Sequence, residues 1–376
     1  MLGFPQPHSF FWSDGHFDVD TFEMSRALDP EILQSIPDDD PRTVYKAIVE
    51  ALSTRTEGHL EIEFLGKSHP LPPGCNALID GDSIAIPKAK LVQAFVVARK
   101  LFVELVAEDS NSQDSALRDA TAVILLMDPE HLTAANARKR IIQRAKENIG
   151  RSNGSTEELE TILAAELLFI DSYLTSRLHR HTKSPTLWAH RRWVLEVVKN
   201  VHKLSDREVF TYLTTIVMVS AERHPRNYYA WSHMRWLLQE FHSNNTLPEH
   251  VPQVTAFDNS KLLSVVKAWC LAHPGDTSGY SFLLFCLSRI PNSDDRRRAS
   301  SAVCAEVLRV SIAFKWTHES IWAFLRTVVA SGYVEDREKV AFFQATESTS
   351  AVPSQGSSIV VAAQHWVMKY EQQAET

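Results

Sequence analysis

The sequence contains two copies of one eight-residue pattern, Trp188–Leu195 and Trp231–Leu238, which begin 43 residues apart. The same residue type stands at five of the eight positions: Trp188 and Trp231, His190 and His233, Arg192 and Arg235, Trp193 and Trp236, Leu195 and Leu238. Four of the nine tryptophans in the chain belong to this pattern. An internal repeat of this period predicts a stack of similar supersecondary units.

Each unit is predicted to be a helical hairpin. The capping-box sequences Ser155-x-x-Glu158 and Ser205-x-x-Glu208 each start an apolar, helically periodic segment that leads to one copy of the pattern. Pro185 and Pro225 mark the turns between the first and second helices. The chain has only 12 glycines in 376 residues, which also favours helices over a fold rich in turns.

Weaker copies of the second helix extend the array. They begin at Ala135, Tyr280 and Trp322, and Arg326 stands in the last copy where Arg192 and Arg235 stand in the clear ones. We therefore expect an all-α fold with five helical pairs between about residues 112 and 340, stacked as an α-α solenoid.

Three regions are predicted along the chain. Residues 1–86 form an irregular N-terminal extension with a short helix at Val44–Leu52 and a strand at His59–Phe64. Residues 87–340 form the solenoid, and Pro87 suits the first turn of its first helix. Residues 341–376 hold a linker, Val352–Ser358, and a last helix, Ile359–Tyr370.

Charge and composition bear on several functional classes. The formal net charge of −7 and the pI of about 6.1 disfavour a nucleic-acid-binding solenoid. The four cysteines show no paired spacing, which predicts free thiols in a reducing compartment, and there is no secretion signal or long apolar run. A cytoplasmic protein without a membrane span is expected. His179-x-His181 and Cys270-x-x-His273 are isolated pairs, so no metal site is predicted.

The repeated aromatic and cationic residues are interpreted as core between the repeats. On a helix, residues four apart share a face, so Arg192, Arg235 and Arg326 are each expected to stack on the tryptophan one turn earlier. His190 and His233 are interpreted as packing histidines. The tryptophans expected in the core are Trp188, Trp193, Trp231, Trp236 and Trp322.

Several of these residues occur in the pattern of a known family. The segment Pro225–Trp231, Pro-Arg-Asn-Tyr-Tyr-Ala-Trp, closely resembles the prenyltransferase α-subunit repeat, and His318–Arg326 resembles its late Asn-Glu-Ser-x-Trp-x-Tyr-Leu-Arg unit. HEAT and armadillo repeats have a similar period but lack this signature. The resemblance covers about residues 112–340 and is strongest to the divergent branch that serves the third protein geranylgeranyltransferase.

The resemblance implies a fold and a function. The family's α subunit is a right-handed superhelical crescent that wraps a separate β subunit, an α/α barrel that holds zinc and the isoprenoid. The resemblance thus implies the α subunit of a heterodimeric protein prenyltransferase, inactive alone. Geranylgeranyl diphosphate would be the co-substrate, a cysteine-tailed protein the acceptor, and a Rab geranylgeranyltransferase type β subunit the partner. A non-catalytic helical scaffold is the alternative.

Four residues would face the diphosphate if the resemblance holds. Lys183 matches the family lysine that reaches the diphosphate, and Asn227 and Tyr228 match the Asn-Tyr pair at the subunit cleft. Tyr229 stands where several members have histidine. The alternative for Lys183 is an exposed turn lysine, and for Tyr228 a packing tyrosine. The chain departs from the family at Met234, in place of the first repeat arginine, and at Ser184-Pro185, in place of Asn-Tyr.

Overall fold

The computed structural model describes residues 40–374, apart from 54–57, 67–68, 70, 73, 109–110, 151–154, 244–257 and 351–355. Residues 1–39 of the predicted extension and 352–355 of the predicted linker lie outside the described residues.

The N-terminal region combines one helix with a small sheet. Its elements are α1 (Pro41–Ser53), β1 (Glu61–Leu65), β2 (Leu78–Asp80) and β3 (Ser83–Pro87). The strand order is β1-β3-β2, with β1 parallel and β2 antiparallel to β3. The predicted helix and the first strand are confirmed, whereas β2 and β3 were not foreseen. Val44, Ile48 and Ile62 are fully buried in the same core as the helices that follow.

Helices make up the rest of the described chain, and the predicted all-α solenoid is confirmed. Pro87 is the last residue of β3 and immediately precedes the first of these helices. The helices are α2 (Lys88–Glu108), α3 (Asp114–Met127), α4 (Leu132–Gly150), α5 (Thr156–Leu174), α6 (His179–Thr182), α7 (Pro185–Lys199), α8 (Asp206–Thr211, the π-helical turn Tyr212–Val217, and Met218–Arg223), α9 (Tyr228–Ser243), α10 (Asn259–Ala272), α11 (Thr277–Ser288), α12 (Ser293–Ala313), α13 (Glu319–Ala330), α14 (Asp336–Ser350) and α15 (Ser357–Ala374).

These helices pack as consecutive hairpins. The pairs are α3 with α4, α5 with α7, α8 with α9, α10 with α11, α12 with α13, and α14 with α15. The second helices α4, α7, α9, α11, α13 and α15 also pack against one another in chain order. Within the described residues the array thus has a sixth pair, because α14 and α15 continue the stack beyond residue 340.

In four units a side-chain helix cap lies four residues before the first position of the repeat pattern, whereas His318 at the start of α13 forms no such cap. The side chains of His131, Ser184, Asn227 and Asp276 each accept a hydrogen bond from the backbone N–H three residues later. Such caps satisfy an N–H group that has no partner within the helix. Ser184 therefore caps α7 as Asn227 caps α9.

The predicted stacking of each arginine on the tryptophan of its own helix is wrong. Each cation instead lies over the ring of the next unit: Lys139 over Trp193, Arg192 over Trp236, Arg235 over Phe285 and Arg326 over Trp366, at 4.7–5.6 Å from the ring centroid. The first tryptophan of a unit points into the core, whereas the cation four residues later lies toward the surface. Trp188 is 3% exposed, for example, and the side chain of Arg192 is 51% exposed. The cation–π contacts therefore join neighbouring hairpins.

A double-mutant cycle can measure one such contact. The cycle of Arg326→Met and Trp366→Leu is expected to show a coupling energy of about 0.5–2 kcal/mol, because the guanidinium carbon lies 5.0 Å from the ring centroid of Trp366. The measurement is urea unfolding of the four proteins. The matched cycle of Arg326→Met with Trp322→Phe should be additive, and coupling there alone would contradict the inter-repeat arrangement.

Candidate functional site at the repeat turns

Hydrogen bonds join the turns of the first five hairpins, each to the turn before it. The carbonyl oxygen of Thr182 accepts bonds from Asn227 Nδ2 at 2.7 Å and Ser220 Oγ at 3.1 Å, and also from the indole of Trp188 in its own unit at 2.9 Å. The turn that precedes α7 is thus fastened to the turn that precedes α9.

The same arrangement occurs in the neighbouring units. Ser184 Oγ donates to the carbonyl oxygen of Pro129 at 3.1 Å, and Ser320 Oγ donates to that of Pro274. Arg226 has a φ of 61°, a conformation that costs a non-glycine residue energy, and its N–H donates to Asp276 Oδ2 at 2.6 Å. The turns therefore form one continuous, hydrogen-bonded edge of the solenoid.

A cluster of nitrogen-bearing side chains lies on this edge between the second and third units. Lys183, which is half-buried, follows α6 directly, and His179 Nδ1 lies 3.2 Å from His224 Nδ1. Partial burial, the positive charge of Lys183 and the proximity of His179 together hold the pKa of His224 below its usual value. The cluster of Lys183, His179 and His224 offers several N–H donors to an anion.

Tyr228 and Tyr229 begin α9 next to this cluster. Tyr228 is 50% exposed, and its ring centroid lies 4.0 Å from that of Tyr229, which is half-buried against the core. The hydrogen bond with the Tyr229 hydroxyl raises the pKa of Tyr228, so its hydroxyl keeps its proton at neutral pH. Tyr228 is thus the member of the Asn-Tyr-Tyr segment that reaches the surface.

Asn227 has a structural environment. Its side chain is fully buried, with Nδ2 donating to Thr182 and to Ser220 Oγ and with Oδ1 accepting from the N–H of Ala230 at 3.3 Å. The amide therefore has no exposed face to offer a ligand. It holds the turn that carries Tyr228 against the turn that carries Lys183.

Replacement of Asn227 tests this role. Asn227→Ala is expected to lower the free energy of unfolding by about 1–3 kcal/mol, because the helix cap and the bond to Thr182 are lost together. Asn227→Ser should lose less, since serine caps the equivalent position in α7. Chemical denaturation gives both values, and equal losses for the two variants would contradict the capping role.

Buried ion pairs behind the edge were missed in the sequence. Arg138 bonds the carboxylate of Glu166 through two nitrogens at 2.8 Å, and His190 Nε2 lies 2.7 Å from the same carboxylate. Burial alone would raise the pKa of Glu166, but Arg138 and the bond from His190 hold it below its usual value. The sequence did contain a signal for this buried pair, because Glu166 lies on the same helix face as the apolar residues Leu163 and Ile170.

A second network links the next two units. Arg191 donates to Asp171 from Nε and Nη2, and its Nη1 lies 2.7 Å from His233 Nε2. Burial, followed by the charge of Arg191, holds the pKa of His233 well below its usual value, so this ring is neutral. Met234 stands at the position of Arg191 in the next unit and is fully buried. Arg138 and Arg191 are the buried arginines at this position in the first two units, and the third unit has the apolar side chain of Met234 in their place.

The other residues predicted for the repeat core lie as follows. Trp188, Trp231, Trp236 and Trp322 are buried, and Trp193 is half-buried against the same core. In the part of the chain that the structure describes, no group of three or more His, Cys, Asp or Glu side chains could hold a metal ion. None of the described helices has both the length and the apolar character needed to cross a bilayer.

Three comparisons with known proteins are informative to different degrees. A model of the ECM9 middle domain matches residues 186–312. The protein prenyltransferase alpha subunit repeat-containing protein 1 of Danio rerio is 33% identical over 95 residues, which is 25% of this chain and 18% of that protein. The chain thus spans less than a fifth of the length of this relative.

Among solved structures, the chain is similar to Candida albicans protein geranylgeranyltransferase-I complexed with GGPP. The TM-score is 0.34 with 16% sequence identity, over 68% of this chain and 77% of the other. Over a quarter of its length this chain is thus similar in sequence to a protein prenyltransferase alpha subunit repeat-containing protein.

Proposed function

We propose that this chain is the α subunit of a heterodimeric protein prenyltransferase that transfers a geranylgeranyl group to a cysteine of a substrate protein. The observation that carries the proposal is the bond between Asn227 and Thr182. It holds Lys183 on the same edge as Tyr228, and these are the residues that the family resemblance assigns to the diphosphate side of the active site. We place the complex in the cytoplasm.

The proposed chemistry uses the turn edge as a source of positive charge and hydrogen-bond donors. The cysteine thiolate of the substrate forms a bond to the first carbon of the isoprenoid, and the carbon–oxygen bond to the diphosphate breaks. The electron pair leaves with the diphosphate, whose oxygens gain charge in the transition state. Lys183 and the Tyr228 hydroxyl would donate to these oxygens, with Tyr229 positioning Tyr228.

The β subunit would supply what this chain lacks. In the proposal it binds zinc, which lowers the pKa of the cysteine thiol, and holds the isoprenoid chain. Among the described residues no group of three or more His, Cys, Asp or Glu side chains could hold a metal ion, and the proposal therefore assigns the zinc to the β subunit.

Coexpression tests the proposed assembly. The chain is expected to copurify with a Rab geranylgeranyltransferase type β subunit and to give a complex that transfers labelled geranylgeranyl diphosphate to a cysteine-tailed peptide. The chain alone should be inactive, because the isoprenoid site lies on the partner. Failure to copurify with any prenyltransferase β subunit would contradict the proposal.

A non-catalytic scaffold is the second candidate, and one observation favours it. The side chain of Asn227 is wholly used in bonds within the chain, and Ser184-Pro185 gives the preceding turn a helix cap but no tyrosine. Under this alternative the same heterodimer would form, but the edge residues would not affect turnover.

A further inference from the structure

A groove of about 730 Å³ lies between the N-terminal sheet and the turn of the second hairpin. Its apolar lining includes Phe64 from β1, Leu91 and Val92 from α2, and Met127 at the end of α3. β1 forms one edge of the sheet in the described chain. An extended peptide can lie along such an edge strand, with alternate side chains directed into the apolar lining.

The lining of the groove carries more cationic than anionic side chains, in contrast to the chain as a whole. It contains Lys88, Arg177 and Arg180 against one carboxylate, Glu63, while Glu61 and Asp128, outside the lining, pair with Arg177 and Arg180. The net charge of the whole chain is −7. Arg177 pairs with Glu63 at 2.9 Å, yet its side chain is 63% exposed. Arg180 pairs with Asp128, and its side chain is 59% exposed. These guanidinium groups can reach a further anion.

The lining also contains a buried hydrogen-bond acceptor that no described residue satisfies. His181 is 2% exposed, and its Nε2 lies 3.1 Å and 3.0 Å from the carbonyl oxygens of Leu125 and Leu126, to which only an N–H can donate. Burial lowers the pKa of His181 to about 4, so the ring is neutral and Nδ1 is an acceptor. Nδ1 has no hydrogen-bond partner among the described residues, and a backbone N–H of a bound peptide would supply one.

We propose that this groove binds an extended segment of a partner protein in which apolar and acidic side chains alternate. The apolar side chains would pack on Phe64 and Met127, the acidic ones would pair with Arg177, Arg180 and Lys88, and one backbone N–H would donate to His181. Binding requires neither a β subunit nor a prenyl donor, so this inference goes beyond the proposed function and does not depend on it.

Fluorescence anisotropy with the full chain tests the inference. The probe is a fluorescein-labelled peptide of alternating valine and aspartate that ends in a free carboxylate. It should bind saturably, whereas a valine–lysine peptide with an amidated end should not. A version of the probe that is N-methylated on its backbone should bind more weakly, because it has lost the N–H donors that His181 requires.

Charge reversal at the rim identifies the site. The double variant Arg177→Glu/Arg180→Glu should weaken binding of the valine–aspartate probe about tenfold or more. Lys88→Glu should weaken it too, and it leaves the fold intact because an acidic residue is favourable in the first turn of α2. The matched control Arg297→Glu/Arg298→Glu, on exposed residues of α12, should leave it unchanged.

Three results would overturn the inference. The probe could fail to bind, or Lys88→Glu could leave its affinity unchanged. In the third result, dodecyl phosphate competes with the probe and binds more tightly, and backbone methylation of the probe has no effect on its affinity. That result would identify the groove as a site for an anionic amphiphile. Loss of binding in both rim variants, with the control unaffected, would support the peptide site whether or not the heterodimer is active.

Discussion

Asp171→Ala is expected to lower the free energy of unfolding by about 3–5 kcal/mol, the range found when one partner of a buried ion pair is removed. Arg191 is fully buried, and Asp171 accepts from two of its nitrogens. Without this carboxylate the guanidinium charge stays in the core beside the neutral ring of His233 and the ring of Tyr212, neither of which carries a compensating negative charge. Urea unfolding followed by circular dichroism gives the difference.

The control for this prediction removes both charges. The double variant Asp171→Ala/Arg191→Met should recover most of the lost stability, because no unpaired charge remains and methionine fills much of the arginine volume. If the double variant were less stable than Asp171→Ala, the loss would come from packing and not from the stranded charge.

Lys183→Ala is expected to lower kcat of the reconstituted heterodimer about 100-fold, with a smaller effect on KM for geranylgeranyl diphosphate. The physical reason is that charge grows on the leaving diphosphate in the transition state, where a single preorganised donor is worth this much. Tyr228→Phe should act in the same direction and more weakly, since it removes a neutral donor. Steady-state prenyl transfer to a cysteine-tailed peptide provides the measurement.

The matched control is Lys203→Ala, which removes an exposed lysine from the opposite end of the hairpins, between α7 and α8. It should leave both constants unchanged. Equal turnover in Lys183→Ala, Tyr228→Phe and the unmodified complex, with an intact heterodimer, would favour the non-catalytic scaffold.

The sequence was sufficient for features set by local rules. Helical hairpins, their turns and the Ser205 capping box depend on spacing within one or two turns of helix, and all are present. The predicted box at Ser155 shows one of its two bonds, in which the serine oxygen accepts from the N–H of Glu158. The box at Ser205 shows both bonds. The resemblance at Pro225–Trp231 also depended on one short segment.

Contacts between units could not be obtained from spacing alone. Arg192 and Trp188 are four residues apart, but the indole is in the core and the guanidinium is at the surface, so the ring that meets the cation comes from the next hairpin. The contacts of Arg191 with His233 and of His179 with His224 likewise join different hairpins. Such partners depend on how the hairpins stack.

Helix periodicity and capping act over a few residues, and they are enough to specify a stack of helical hairpins with a repeated aromatic core. The packing of the hairpins fixes which side chains share the turn edge, which charges are buried together, and that β1 and α2 border a groove with cationic side chains at its rim. Those arrangements join residues that are distant in the chain, and they follow from the packing of one hairpin on another.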